Sequence, residues 1–267
     1  MTENNNSIPA ITDTTSRYYI NANKMYNAGI KYYLLAKNGD EQAYNMAYWA
    51  FYRAYKSGLI KASFWVAMCY QYGHGVEKNF EAANDYFKTF IKYERDAKTH
   101  TDDYAEALYL INQNIRLGRG TTQDVAKANK YLERAAKCEY TQAQYEWGAR
   151  LLVGFEALQN VHDGIEYLKA ATKAHNGSVT SFVHPDAAAL LGWCYSVGYG
   201  VDQNPKKAMN YFRGARNQQN YAGQYALGEN LMDVDKDMLV RSVQLHVQKA
   251  QLEQEHVDNP EFTNRPY

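Results

Sequence analysis

A short helical pattern recurs along this chain at nearly constant intervals, and this repetition limits the possible folds more than any other feature. The pattern is a small or β-branched residue followed three positions later by two aromatic or aliphatic residues. It begins at Ala47, Ala83, Ala128, Gly164, Ala208 and, in a degenerate form, Val243. The intervals between these positions are 36, 45, 36, 44 and 35 residues. Periods of this size indicate stacked helical hairpins, each of which buries its apolar face against a neighbour.

The most regular copy spans residues 187–212 and shows how one hairpin is built. Gly198 and Gly200 lie where the chain must turn, since glycine reaches positive φ without a Cβ clash. Pro205 suits the first turn of the second helix, where its missing N–H is no loss. The first helix carries a packing face at helical spacing, formed by Ala187, Leu191, Gly192 and Tyr195.

The turn glycines recur in pairs in two of the other copies, whereas copy one has Gly39 alone and copy six has none. Copies two and three have them in pairs, at Gly73 with Gly75 and at Gly118 with Gly120. In copy four Gly154 is followed by Glu156 where the second glycine belongs, so we expect that hairpin to turn differently. In copy three, Asp124 is the predicted N-cap of the second helix.

The combined pattern, A-x-x-x-L-G-x-x-Y-x-x-G-x-G-V followed by K-A-x-x-Y-F, resembles the Sel-one-like repeat family, which is related to the tetratricopeptide repeat. The resemblance covers roughly residues 21–250. It implies an all-α, right-handed solenoid of about six hairpins. We expect a disordered tail over residues 1–16, the repeat array over 17–256 and a C-terminal tail over 257–267. The fifth copy matches at Ala187, Leu191, Gly192, Tyr195, Gly198, Gly200, Val201, Lys207, Ala208, Tyr211 and Phe212.

Charge and cysteine content restrict the partners and the compartment. The chain has 29 basic and 29 acidic residues, so it lacks the positive surplus that binds nucleic acid or an anionic membrane. Cys69 and Cys194 occupy the same position in copies two and five and are too far apart for a disulfide. No secretory signal or bilayer-spanning run is recognisable. We therefore predict a cytoplasmic protein, bacterial in type, in a reducing compartment.

Reacting groups are not apparent in the sequence. The glycine turns lack the preceding strand and the Lys-Ser/Thr of a phosphate loop, and no zinc-binding spacing of Cys or His occurs. His162 and His184 each lie near an aspartate, but repeat geometry places no nucleophile beside them, and we interpret them as loop and cap residues. We therefore predict no catalytic, cofactor-binding or metal-binding residues.

The candidate partner-binding residues come from an analogy with tetratricopeptide-like solenoids, in which the first helix of each hairpin lines the concave side. Aligning the copies by their leucine–glycine position predicts a groove with aromatic rungs, and Tyr, Trp and Arg are the residue types that dominate binding hot spots. An alternative stays open, because aromatic residues at helical spacing commonly fill the space between repeats. The predicted residues are Phe64, Met68, Tyr109, Gln113, Arg116, Tyr145, Trp193, Tyr225 and Glu229.

The family resemblance implies adaptor or scaffold work, so the predicted function is a non-enzymatic module that binds a protein or peptide in this groove, as a monomer or weak dimer. One alternative is an immunity protein that inhibits a toxin enzyme. Another is a hydrolase, because some cysteine-rich relatives have been linked to β-lactam binding. The repeated cysteine pairs of that branch and a Ser-x-x-Lys motif are both absent from this sequence.

Overall fold

The computed structural model describes residues 9–95, 101–173 and 184–217. These residues form ten α-helices and one short 3₁₀ helix, Ile60–Ala62, with no β-strand among them. Helical hairpins are therefore confirmed throughout the described ranges. The α-helices are α1 Arg17–Lys37, α2 Ala43–Lys56, α3 Ser63–Tyr72, α4 Phe80–Glu94, α5 Asp102–Leu117, α6 Val125–Lys137, α7 Thr141–Val153, α8 Val161–Ala171, α9 Pro185–Val197 and α10 Pro205–Asn217.

The chain divides into two compact units between Arg134 and Ala135, within α6. In unit 1, each of the helices α1 to α5 packs against the next, and in unit 2 the helices α7 to α10 do the same. Helix contact in both units depends on small residues, because they let two backbones approach closely. The small residues that begin the repeated pattern are buried in every described copy: Ala47, Ala83, Ala128, Gly164 and Ala208.

The hairpin turns that follow α3, α5, α7 and α9 share one hydrogen-bond arrangement, whereas α1 ends differently, at Asn38 with φ −90°. Each of these four helices ends at a glycine in the left-handed region, with φ between 69° and 75°. The residue that caps the second helix then donates its backbone N–H to a carbonyl nine positions earlier, at 2.8 to 3.1 Å. The side chain of the same residue accepts from the backbone N–H three positions later, as an N-cap does. These capping residues are Asn79, Asp124, Asn160 and Asn204.

The prediction that copy four turns differently is wrong. Asn160 donates to the Leu151 carbonyl at 2.9 Å, as its counterparts in the other hairpins do. Glu156 adopts the left-handed conformation itself, at φ 54°. Its carboxylate lies 3.8 Å from Nε of Arg150, a side chain that is completely buried. Glu156 thus takes the positive φ that glycine supplies in the other turns, so the turn is kept without the second glycine.

The segment before α1, residues 9–16, packs on the rest of unit 1. The backbone N–H of Ile11 donates to the Gly58 carbonyl at 3.0 Å, and the Ile11 side chain packs on the core of that unit. Ser16 then caps α1 by accepting from the Tyr19 N–H. The predicted boundaries of the two tails and the array stay a prediction. Copy six and the predicted loop after Lys173 lie largely outside the described residues.

Candidate partner-binding face

One face of the first helices is accessible in both units. Along α3 with the 3₁₀ turn before it, and along α5, α7 and α9, a set of partly or fully exposed side chains recurs at spacings of 4, 7 and 11 residues, which place them on one side of a helix. We call this set the first-helix stripe. Other partly exposed side chains of these helices, such as Tyr70 and Trp147, lie outside it. In unit 1 it consists of Lys61, Trp65, Tyr72, Glu106, Gln113 and Leu117. In unit 2 it consists of Gln142, Glu146, Val153, Asp186, Trp193 and Val197.

Two of the predicted partner-binding residues lie in the stripe, and five are buried in the core of their unit. Gln113 and Trp193 are partly exposed. Tyr225 and Glu229 lie outside the described residues. The exposed fraction of the other five is small: 1% for Phe64, 8% for Met68, 8% for Tyr109, 7% for Arg116 and 3% for Tyr145.

The burial of Phe64 shows why the predicted positions and the stripe differ. Its ring contacts Phe87 and Phe90, with centroids 6.1 and 5.4 Å apart, so it fills the interior of its own hairpin. Trp65, the next residue, belongs to the stripe. One residue along an α-helix turns a side chain by about 100°, which is enough to exchange the core for the surface. Sequence analysis missed Trp65 because it placed the accessible side one residue away.

Trp65 is held in place by aromatic neighbours within unit 1. Its indole N–H donates to the Tyr26 hydroxyl at 3.1 Å, and its ring stacks on Phe51 at 5.4 Å. Tyr33 meets it edge-on at 4.9 Å. An aromatic side chain fixed in this way loses little conformational entropy when a partner covers its remaining surface.

Two lysines lie over the tyrosines that contact Trp65. Lys61 Nζ lies 4.5 Å from the ring centroid of Tyr26, and Lys37 Nζ lies 5.8 Å from that of Tyr33. Asp103 and Glu106 are partly buried on α5, and burial raises the pKa of each carboxyl above its usual value. The two lysine distances place positive charge over the aromatic residues that hold Trp65.

His74 and His184 act as structural groups. His74 stacks on Tyr44 at 4.0 Å and accepts or donates a hydrogen bond to the Tyr33 hydroxyl at 3.1 Å. Burial, with a smaller contribution from Lys37, lowers the pKa of His74, which favours the neutral ring. His184 is the N-cap of α9, because its Nδ1 accepts from the Ala187 N–H at 3.4 Å. This agrees with the interpretation of His184 as a cap residue.

In unit 2, the Trp193 ring meets the Phe212 ring edge-on at 5.5 Å, and this contact holds the indole against the core of the unit.

The buried titratable side chains have altered pKa values. Burial raises the pKa of the Tyr145 hydroxyl well above its usual value, as expected for a phenol inside a packed hairpin. Cys69 in unit 1 and Cys194 in unit 2 are buried thiols without a disulfide.

Over residues 9–95, 101–173 and 184–217, no three or more His, Cys, Asp or Glu side chains come together in a group that could hold a metal ion. In the same ranges, every helix is too short or too polar to cross a membrane.

Comparison with known families accounts for the repeated hairpins. Residues 60–90, 115–140, 141–176 and 185–220 each match the Sel1 repeat. This chain carries Sel1 repeats. The predicted family resemblance and the predicted all-α repeat solenoid are therefore confirmed. Sel1 repeats generally mediate protein–protein interaction and are typically non-catalytic.

Solved structures agree on the fold. A Sel1 repeat protein from Oxalobacter formigenes is 20% identical with a TM-score of 0.62, over 89% of this chain and 91% of that one. A protective antigen of uropathogenic Escherichia coli with an SLR fold is 19% identical with a TM-score of 0.62, over 86% of this chain and 46% of that one. Immunity protein Pa5087 from Pseudomonas aeruginosa is 20% identical with a TM-score of 0.44, over 85% of this chain and 81% of that one.

Proposed function

We propose that this Sel1 repeat protein is a non-enzymatic interaction module that binds a protein partner on the first-helix stripe of each unit. The observation that carries the proposal is the partly exposed tryptophan in each stripe, Trp65 in unit 1 and Trp193 in unit 2, each held from beneath by buried rings. Tryptophan is among the residue types most enriched in binding hot spots, because it buries a large area at a small entropy cost.

The buried residues of the predicted groove have an indirect part in this proposal. Phe64, Tyr109 and Tyr145 are buried, and Gln113 of the stripe donates to the Tyr109 hydroxyl at 2.9 Å. Direct contact with a partner is proposed for Gln113 and Trp193. Partner contact by Met68 and Arg116, and by Tyr225 and Glu229 outside the described residues, stays a prediction, as does a cytoplasmic location.

The proposal is tested by affinity capture from the native source with matched tryptophan variants. Trp65→Ala and Trp193→Ala each remove a stripe tryptophan, while Trp49→Ala removes an equally bulky side chain from α2 that is 49% exposed. We expect each stripe variant to weaken capture of the same partner by about thirtyfold, which corresponds to about 2 kcal/mol. The Trp49→Ala variant should bind as the wild type does.

Thermal unfolding of all three variants checks that they remain folded. If both folded stripe variants retain the partner as well as the wild type, the stripe is not the binding face. If the captured partner is an enzyme that the wild type inhibits and the stripe variants do not, the module acts as an inhibitor.

A further inference from the structure

The first helices of unit 1 carry a local excess of positive charge that narrows the chemistry of the partner, and this inference rests on the proposed function. Helix α1 contains four lysines or arginines, α2 contains two, and the 3₁₀ helix before α3 contains Lys61. Neither these three helices nor α3 contain an aspartate or a glutamate. The chain as a whole has 29 basic and 29 acidic residues, so its charge is unevenly distributed, with a basic region at the start of unit 1.

Two of these lysines are placed close to Trp65 by the contacts of its neighbours. The Trp65 indole donates to the Tyr26 hydroxyl at 3.1 Å, and its ring centroid lies 4.9 Å from that of Tyr33. Lys61 Nζ lies 4.5 Å from the ring centroid of Tyr26, and Lys37 Nζ lies 5.8 Å from that of Tyr33. Each of the two tyrosines that contact Trp65 therefore has an ammonium group over its ring.

The spacing of the two ammonium groups suits a short acidic segment. Tyr26 and Tyr33 are seven residues apart in α1, which corresponds to about 10 Å along the helix axis, and Trp65 contacts both of them. An extended segment of five residues presents its first, third and fifth side chains on one side, over about 13 Å. Its first and fifth side chains can therefore be carboxylates that reach the two lysines, while its third lies on the indole.

The rest of this surface is aromatic and partly accessible. Tyr72, the last residue of α3, is 44% exposed and stacks on His74 at 5.5 Å, and His74 stacks in turn on Tyr44 at 4.0 Å. The face of an aromatic ring is negative and does not attract a carboxylate by itself. The rings thus supply contact area for an apolar side chain, and the attraction for an anion comes from the lysines.

Helix α5 carries the opposite charge, at Asp103 and Glu106. It is joined to α3 by two hydrogen bonds between Gln71 and Asn114, at 3.2 and 2.8 Å. An acidic segment is repelled by the carboxylates of α5 and attracted by the lysines of α1 and of the 3₁₀ helix. We therefore expect it to lie along α1 and α3.

We propose that the stripe of unit 1 receives an acidic segment of the protein partner, in which two carboxylates pair with Lys37 and Lys61 while an apolar side chain between them lies on Trp65. Charge complementarity selects this occupant. An ammonium group lies over each tyrosine that contacts the indole, and the helices that supply these residues contain no carboxylate.

Selection from a phage-displayed random dodecapeptide library on the full-length protein tests this inference. We expect peptides captured by the wild type to be enriched in aspartate or glutamate. Synthetic versions of these peptides should bind about tenfold or more weakly to the double variant Lys37→Gln/Lys61→Gln, and this binding should lose most of its dependence on salt concentration.

The matched control is the double variant Lys24→Gln/Lys31→Gln. It makes the same charge change at two exposed positions of α1, on the opposite side of that helix from Tyr26 and Tyr33. Peptide binding to this control should stay within about twofold of the wild type. An unchanged melting temperature of the Lys37/Lys61 variant confirms that its effect is on binding.

The Trp65→Ala variant separates this inference from the proposed function. If Trp65→Ala abolishes peptide binding but the peptides show no acidic enrichment, or the Lys37/Lys61 variant binds them as the wild type does, the stripe is a binding face and the acidic-segment inference is wrong. Basic peptides that lose affinity for an Asp103→Asn/Glu106→Gln variant carry the same meaning. If no peptide is captured, or none depends on Trp65, both the inference and the proposed function of this stripe fail.

A fluorescent twelve-nucleotide strand of thymidines tests whether the anion is instead a nucleic acid. We expect the wild type to bind this strand no better than the Lys37/Lys61 variant does. If the wild type binds the strand, the variant does not, and the selected peptides fail to compete, the two lysines belong to a nucleic-acid site and the acidic-segment inference is overturned.

Discussion

Helix α3 of unit 1 and helix α9 of unit 2 occupy the same place in their repeats, 125 residues apart, and their agreement is as informative as their differences. Both stack a tyrosine on the second helix of the hairpin: Tyr70 on Tyr86 at 5.8 Å, and Tyr195 on Tyr211 at 5.6 Å. Both also bury a cysteine and end at a left-handed glycine. The tyrosine, the cysteine and the final glycine of these helices are therefore the same in the two units.

The two helices differ in the stripe. Trp65 of α3 corresponds to the buried Leu190 in α9, and Met68 of α3 corresponds to Trp193. The tryptophan has moved by three residues, or about one helical turn, while the frame below it has not changed. The hairpin tolerates this exchange, so exposed positions of the stripe can differ between repeats while the shared tyrosine, cysteine and glycine are kept.

The largest expected effect is a loss of stability on substitution of the second turn glycine, and it compares Gly75 in the α3–α4 hairpin with Gly200 in the α9–α10 hairpin. A Cβ at Gly75 would fall 2.2 Å from the backbone oxygen of Tyr44, and one at Gly200 would fall 2.3 Å from a side-chain methyl of Val161. Because a side chain can move where a backbone cannot, Gly75→Ala should cost about 3 kcal/mol or more and Gly200→Ala about 2 kcal/mol. Chemical denaturation measures both, and equal costs would contradict the distinction.

A second prediction concerns the two buried thiols. Burial raises the pKa of Cys69 and of Cys194 to about 12. In the unfolded chain a thiol ionises near pH 8.5, so above that pH the folded state holds the proton more tightly and stability falls as the pH rises. The fall should be about 1.4 kcal/mol per pH unit for each thiol between about pH 9 and 11.

Cys69→Ala and Cys194→Ala should each flatten this alkaline dependence by a similar amount. The measurement is the free energy of unfolding at pH 8, 9 and 10 for the wild type and both variants. If the slope of unfolding free energy against pH changes for only one variant, Cys69 and Cys194 are buried to different extents in their two hairpins. Slopes that match the wild type for both would refute the assigned pKa values.

The smallest expected effect distinguishes the two stacked tyrosine pairs. The Tyr70 hydroxyl forms a 2.9 Å hydrogen bond with that of Tyr48, whereas no hydrogen bond of the Tyr195 hydroxyl occurs within the described residues. Tyr70→Phe should therefore cost about 1 kcal/mol, because it leaves the buried Tyr48 hydroxyl unsatisfied. Tyr195→Phe should stay within about 0.5 kcal/mol of the wild type. Thermal unfolding of both variants measures the difference, which should be absent if the hydrogen bond adds nothing.

Much of the fold could be predicted because its determinants are local. Asp124 caps α6 and Pro205 begins α10, as their residue types indicate. The side-chain hydrogen bonds that close three of the hairpin turns could not be predicted from residue type. Gln123, Gln159 and Gln203 each donate from the side-chain amide to a carbonyl seven residues earlier, a contact that exists only once the turn has formed.

The sequence by itself determined the repeat length, the helical hairpins and the glycine turns, because spacing, capping and backbone freedom act over a few residues. The tertiary structure alone decided which side of each first helix is accessible. A periodic apolar pattern marks a helix as amphipathic, but in a stacked array most of the circumference is buried, and a shift of one residue exchanges Phe64 for Trp65. Only the packing of the neighbouring helices shows which of the two a partner can reach.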